Sequence, residues 1–228
     1  MFIPKVFHRI RLSDDKLPAE AEQYAASWRR YHPAWEFREW TMANLPSLRN
    51  RELFDCCANT GHRADILRYE LLEQFGGVYV DLDFECLRPI DPLLQGVAAF
   101  AGAIRSRPRE LGIQNIETAI LGSHPQLPFF TELVHRLGPW LDCWDWHPSV
   151  SVRTGPQFFE KHLQRWYAIR DSMPLTVFAP KVFYPYLWDE PRPPVNRNTH
   201  SYAVHHWWGT WRHQVAQITR PSTPLHEG

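Results

Sequence analysis

The chain has 228 residues, 44% of them hydrophobic and 22% charged, with 25 basic side chains matched by 25 acidic ones. That length suits a single domain, expected here over residues 1–228, with a core that needs no staples. A formal net charge of zero argues against a nucleic-acid binder, which is usually strongly basic, and gives no reason to expect an anionic membrane as partner.

The opening MFIPKVFHRIRLSDD does not read as a secretory signal, because Lys5, His8 and Arg9 break its short apolar stretch. Within it, IPKVFHRI is expected to be the first strand. LPAEAEQYAASWRRYHP follows as a helix, with Ala21, Tyr24, Ala25 and Trp28 at helical spacing and Pro33 as its stop. WEFREW alternates apolar and charged residues, the pattern of a half-buried strand. TMANLPSLRNRELFDCC reads as short helices around Pro46. HRADILRYELLEQFGG is the clearest helix, with Ala64, Leu67, Leu71 and Phe75 along one face and a glycine stop. VYVDLDF is expected to be a strand buried on both faces, and VAAFAGAI another. ETAILGS, LPFFTELVHRL and GPQFFEKHLQRWYAI read as helices. LTVFAPKVFYPY reads as a strand interrupted by Pro180, residues 189–199 as a Pro-rich loop, and HSYAVHHWWGTW as a strand and turn. Residues 215–228 read as a mobile tail. The alternation of strands and helices makes the class α/β.

Cys56, Cys57, Cys86 and Cys143 form no CxxC pair, so neither a disulfide framework nor a zinc site is indicated, and free thiols in a reducing cytoplasm are expected. No run of about 18 apolar residues predicts a membrane span. The 11 tryptophans offer flat surfaces that stack on sugars or bases, or fill a core.

The stretch GGVYVDLDFEC carries the chemistry. Asp81 and Asp83 stand two apart, so on a strand they face one side, at the end where α/β proteins place ligands. Two such carboxylates repel, and a divalent cation with a taste for oxygen, Mg²⁺ or Mn²⁺, relieves the repulsion. The alternative is a pair of carboxylates capping a turn. In the preceding helix Asp65 and Arg68, at i and i+3, share a face. They form either a surface ion pair or a sugar- and phosphate-binding couple.

HRADILRYELLEQFGGVYVDLDFECLRPIDPLL resembles the sugar-binding region of DXD-containing glycosyltransferases, and family 32 most closely. That family includes yeast Golgi mannosyltransferases and bacterial polysaccharide enzymes; the glucosyltransferase domains of large clostridial cytotoxins are a more distant likeness. The shared pattern is A-D-I-L-R on a helix, a G-G-x-Y turn, and D-x-D sixteen residues after the helix aspartate. IPKVFHRI, YHPAWEFREW, RTGPQFF and HHWWGTW are similar to the family's other motifs. The resemblance implies a GT-A-type nucleotide-binding α/β sandwich with a mixed, mainly parallel central sheet. It implies a metal-dependent, retaining transfer of a sugar from a UDP- or GDP-sugar, with polysaccharide or glycan synthesis as the setting. Asp83 and His206 would hold Mn²⁺ or Mg²⁺, with Asp81 reaching the metal through water and contacting the ribose. Asp65 and Arg68 would hold the donor sugar, Trp211 would meet the donor phosphate, and His8 and Gly77 would lie against the donor. Arg68, Asp83 and Trp211 would be the catalytic set. An imidazole ligand favours Mn²⁺ over Mg²⁺.

The chain departs from the family at two places. Arg11 stands where relatives commonly have a tryptophan, and Glu117 and Thr118 stand where an asparagine pair is common, leaving Asn115 or Thr118 to contact the sugar. Two other readings compete. VYVDLDFE also resembles the nucleophile motif of haloacid-dehalogenase-like phosphatases, but the only downstream lysines are Lys161 and Lys181 and no GDxxxD occurs. A non-catalytic sugar-binding module is the other, although it would have no need of a nucleotide-diphosphate site. The acceptor is unassigned; WLDCWDWHPS is a candidate aromatic platform for it.

Overall fold

The computed structural model describes residues 2–14, 16–105, 115–144, 149–172, 174–191 and 200–209. A six-stranded sheet in the order β2-β1-β3-β6-β5-β7 runs through the centre. β1 (Val6–Ile10) pairs in parallel with β2 (Glu36–Trp40) on one side and β3 (Gly77–Val80) on the other. β6 (Ile116–Ser123) is antiparallel to β3 and to β5 (Ala99–Ala103), and β7 (Thr176–Phe178) closes the far edge parallel to β5. The sheet is therefore mixed and mainly parallel, as expected.

Side chains alternate across β3: Val78 and Val80 pack into one core with Phe7, Trp28 and Phe183, while Tyr79 packs into the other with Leu67, Phe129 and Phe159. Helix α1 (Glu20–Tyr31) buries Ala21, Tyr24, Ala25 and Trp28, the face its spacing predicts. On the opposite side lie α3 (Thr60–Phe75), α4 (Pro128–Trp144) and α6 (Pro156–Arg170). Asn59 caps α3 by accepting from the Gly61 N–H at 2.8 Å. Gly76, at φ 63°, ends it. Gly77 follows at φ 88°, where a Cβ would sit 2.6 Å from the Val6 carbonyl oxygen, so the turn into β3 needs a residue with no side chain.

Four expectations change. ETAILGS is not a helix but most of β6, paired with β3 and β5 in the middle of the sheet, with Leu121 in one core and Ala119 and Ile120 in the other. VYVDLDF is not one strand: β3 stops at Val80, residues 81–83 turn, and β4 (Phe84–Cys86) leaves the main sheet to pair with β8 (Ala203–His205). The short helices around Pro46 reduce to α2 (Arg51–Cys56). LTVFAPKVFYPY divides into β7 and a single helical turn, α7 (Pro180–Phe183), because Pro180 suits a first helical position better than a strand. Between Val150 and Arg153 a further short turn, α5, precedes α6. The mobile tail expected at 215–228 lies outside the described residues. Among those described, no helix is long and apolar enough to cross a membrane.

Candidate functional site

β1 connects through α1 to β2 on one flank, and β3 lies on the other, so the chain reverses direction across the sheet between β1 and β3. The crevice outside the carboxyl ends of two such strands is where open α/β sheets bind ligands. A cleft of about 420 Å³ opens there, lined by Ile10 to Ser13 after β1, Asp81 to Asp83 after β3, and Glu117 and Thr118 at the start of antiparallel β6. Asp65 and Arg68 reach it from α3, His205 from the end of β8, and Trp207 and Trp208 from the segment that follows.

Asp65 and Arg68 are not a surface pair. They are 4% and 6% exposed, and Arg68 Nη2 lies 3.1 Å from Asp65 Oδ1 and 3.5 Å from Asp81 Oδ1. Its other nitrogen, Nη1, donates to the Thr118 carbonyl at 2.7 Å and to Thr118 Oγ1 at 3.0 Å. The guanidinium also sits over the Tyr79 ring, 4.5 Å from its centroid. Despite burial, the charges of Asp65 and Asp81 keep the guanidinium charged. Burial pushes the Asp65 carboxyl up to about 6, against the pull of Arg68 and a hydrogen bond from Thr154 Oγ1 at 2.8 Å. A cation is thus fixed between two carboxylates at the cleft floor.

Asp81, Asp83 and His205 make the second cluster, each offering a ligand atom within 4.8 Å of the others. His205 Nε2 is 3.1 Å from Asp83 Oδ1 and 3.9 Å from Asp81 Oδ2. Adjacent ligands of an octahedral ion lie roughly 3 Å apart when metal–oxygen bonds are about 2.1 Å, so this spacing fits a divalent ion after small adjustments. Two carboxylates also balance the charge of such an ion. Burial opposes ionisation of Asp83, but His205 and the Trp208 N–H, which donates to Oδ2 at 2.8 Å, hold its carboxyl below the usual range. Asp81 is shifted the other way: burial and then the Asp83 charge outweigh Arg68. The Tyr79 hydroxyl donates to Asp81. The two aspartates are therefore inequivalent, and a turn rather than a strand brings both to the cleft.

The structure separates several residues that the sequence grouped. His206 points away from Asp83: its Nε2 donates to Glu85 at 3.0 Å, its Nδ1 accepts from the Tyr186 hydroxyl at 3.0 Å, and its ring stacks on Tyr24. Residue 205, paired with Phe84, is the histidine that faces the aspartates. His8 does not line the cleft. Trp40 donates to its Nδ1 and its Nε2 donates to the Gly76 carbonyl, and burial pushes it down to about 4, so it supports the Gly76–Gly77 turn in neutral form. Gly77 likewise serves that turn and is not a lining residue. Trp211 lies outside the described residues. Arg11 is at the cleft, and so is Thr118, whereas Asn115 is not. Lys161 and Lys181, the lysines a phosphatase reading would need, do not line it either. His205, Trp188, Trp207 and Trp208 are among the lining residues to which sequence reasoning gave no role, and Glu117, noted there only as a departure from the family pattern, lines the cleft too. The parity of β8, set by its register with β4, was the signal for His205, and only the pairing reveals it.

Residues 18–98 match the family described as "Glycosyltransferase sugar-binding region containing DXD motif". Among curated proteins, inositol phosphoceramide mannosyltransferase 1 of Schizosaccharomyces pombe is 30% identical over 166 residues, 68% of this chain and 50% of that protein. Mannosyl phosphorylinositol ceramide synthase SUR1 of Saccharomyces cerevisiae is 31% identical over 175 residues, 72% of this chain and 43% of that protein. The chain spans about half the length of these relatives. Among solved structures, PaToxG glycosyltransferase aligns with a TM-score of 0.54 at 13% identity, covering 75% of this chain and 71% of that one. The UDP-bound glycosyltransferase domain of the YGT toxin aligns at 0.53 and 11%, covering 78% and 79%. The fold is therefore that of GT-A glycosyltransferases, a mixed α/β sandwich.

Proposed function

We propose, from the premise that through residues 18–98 this chain belongs to the glycosyltransferase sugar-binding regions containing a DXD motif, that it moves a sugar from a nucleotide-diphosphate donor to an acceptor, with retention at the anomeric carbon. The carrying observation is one cleft in which the buried Asp65–Arg68 pair stands beside the Asp81, Asp83 and His205 cluster. A sugar diphosphate has a matching layout, hydroxyls at one end and anionic oxygens at the other. Asp65 accepts hydrogen bonds from sugar hydroxyls, and Arg68, fixed by Thr118, presents positive charge to the ligand's oxygens. Asp83, Asp81 and His205 are the residues that would hold Mn²⁺ or Mg²⁺. When bound, the ion supplies Lewis-acid stabilisation of the charge that gathers on the departing diphosphate. The chain's own contribution is preorganisation: Arg68 and the Trp208 N–H are already oriented, so little reorganisation accompanies charge transfer.

Both curated relatives are named for adding mannose to an inositol phosphoceramide. Mannose is accordingly the first donor sugar to try, with UDP- and GDP-linked forms in parallel, and a polar lipid headgroup joins glycans among acceptors to test. Cell fractionation tests the cytoplasmic setting expected from the sequence. The deciding assay is donor hydrolysis with Mn²⁺ across a panel of UDP- and GDP-sugars. Turnover is expected for at least one donor and is expected to drop at least about 100-fold in Asp83→Ala. Turnover of no donor, or an undiminished rate in that variant, contradicts the proposal.

A further inference from the structure

Glu117 occupies the cleft where neither cluster accounts for it. In an unbroken strand, neighbours point to opposite faces, yet Glu117 and Thr118 both line the cleft. The cause is a bulge: the β5–β6 register jumps from Ala101↔Leu121 to Gly102↔Glu117. Bulges re-aim side chains and recur beside active sites. This one frees the Thr118 carbonyl for Arg68 and turns the Glu117 carboxyl inward. Oε1 accepts from the Thr118 N–H at 2.9 Å. Among the described residues, no side chain bonds or ion-pairs with Oε2. Glu117 is half-buried at the cleft wall, so its second oxygen is open to a ligand there rather than committed to a structural ion pair.

Its surroundings locate it more closely. The charges that act on it are His205 from β8, Asp81 after β3 and Arg68 from α3. Burial outweighs their combined effect and pushes it up to about 7. Glu117 therefore borders both clusters, the carboxylates with His205 on one side and the sugar-binding pair on the other. Between an anchored diphosphate and an anchored sugar lies the bond that breaks.

We propose that Glu117 is the carboxylate facing the reacting carbon of the donor, where it stabilises the positive charge that gathers as the bond to the diphosphate breaks. This rests on the glycosyltransferase reading above. The carbon–oxygen bond to the diphosphate breaks with its electron pair leaving on the diphosphate. The acceptor oxygen, or water in hydrolysis, forms the new bond, and its proton leaves on the departing diphosphate. Glu117 forms no bond; its role is electrostatic, and its own hydrogen bond to the Thr118 N–H keeps it in place.

Glu117→Gln tests this, because the amide keeps the size and the Oε1 acceptor but removes the charge. Two measurements are made on the purified chain: steady-state hydrolysis of UDP- and GDP-sugars with Mn²⁺, and calorimetric binding of UDP or GDP with Mn²⁺. The expected result is a fall in kcat of about 100-fold or more, with nucleotide Kd changed less than about threefold. Glu117→Asp, which retains the charge but withdraws it, is expected to lose less than the amide, and it decides the matter if the amide variant does not fold. A kcat within about threefold of wild type in the amide variant overturns the proposal, as does a loss of nucleotide binding that accounts for the whole effect. Turnover shared equally by wild type and variant removes the Glu117 role alone. A wild-type chain that turns over no donor removes the glycosyltransferase reading and this role together.

Discussion

Thr154→Val is the most informative single change outside the cleft. Thr154 follows α5, and its hydroxyl donates to Asp65 Oδ2 at 2.8 Å while His62 Nδ1 lies 3.0 Å away. Because the hydroxyl gives its proton to the carboxylate, it accepts from His62, which fixes the ring as the Nδ1–H tautomer. Burial pushes His62 down to about 4, so the ring is neutral. Valine preserves the shape and deletes the oxygen, leaving a buried carboxylate oxygen and a buried imidazole N–H without that partner. Each such loss costs about 1–3 kcal/mol, so a destabilisation of roughly 2–6 kcal/mol is expected near neutral pH. The sign of its pH dependence follows from Asp65. Its folded value, about 6, lies above the ordinary 3.8, so ionised Asp65 costs the fold stability, a cost absent below about pH 4 and complete above about pH 6. Removing the Thr154 donor raises that value further. The destabilisation should therefore be larger at pH 8 than at pH 4.5, by about 1 kcal/mol or more. Urea denaturation of both proteins across that range measures it. A difference below about 0.5 kcal/mol at pH 8, or one that does not vary with pH, refutes the reasoning. Thr154→Ser, which restores the hydroxyl, should recover most of the stability.

Other perturbations separate residues that look alike in the sequence. His205→Ala should weaken Mn²⁺ binding by at least about tenfold in calorimetry, whereas His206→Ala should leave it within about threefold and lower thermal stability instead, because it removes the hydrogen bonds to Glu85 and the Tyr186 hydroxyl and the ring stacked on Tyr24. The reverse pattern would return the metal to His206. Gly77→Ala places a Cβ 2.6 Å from the Val6 carbonyl at φ 88°, and should cost about 2 kcal/mol or more of stability. Wild-type stability in that variant would mean that the turn is not constrained as described. Asp83→Ala and Glu117→Gln should part in binding: the first loses Mn²⁺ affinity along with rate, and the second loses rate alone.

Much of the fold was legible because its signals are local. The apolar stripe of α1, the glycine stop of α3 and the proline that opens α6 each act within a turn or two of chain. ETAILGS was misread for the same reason. Alanine and leucine favour a helix and its seven residues carry no alternation, because as a central strand β6 sends side chains into a core on each side of the sheet. Strand propensity is largely a matter of such neighbours, which the local sequence does not display.

The site divides along the same line. Spacing within one helix and one turn was enough to single out Asp65, Arg68, Asp81 and Asp83, and the structure brings all four to one cleft. Which histidine joins them depends on how β8 lies against β4, more than a hundred residues earlier, since a one-residue shift of a strand exchanges its faces. That Glu117 faces inward depends on a bulge against β5. The burial that keeps Arg68 between two carboxylates is likewise a property of the packed sheet and helices. Residue types and short-range spacing determined which chemistry the chain carries; long-range pairing and burial decided which side chains meet, because register and desolvation exist only once distant segments come together.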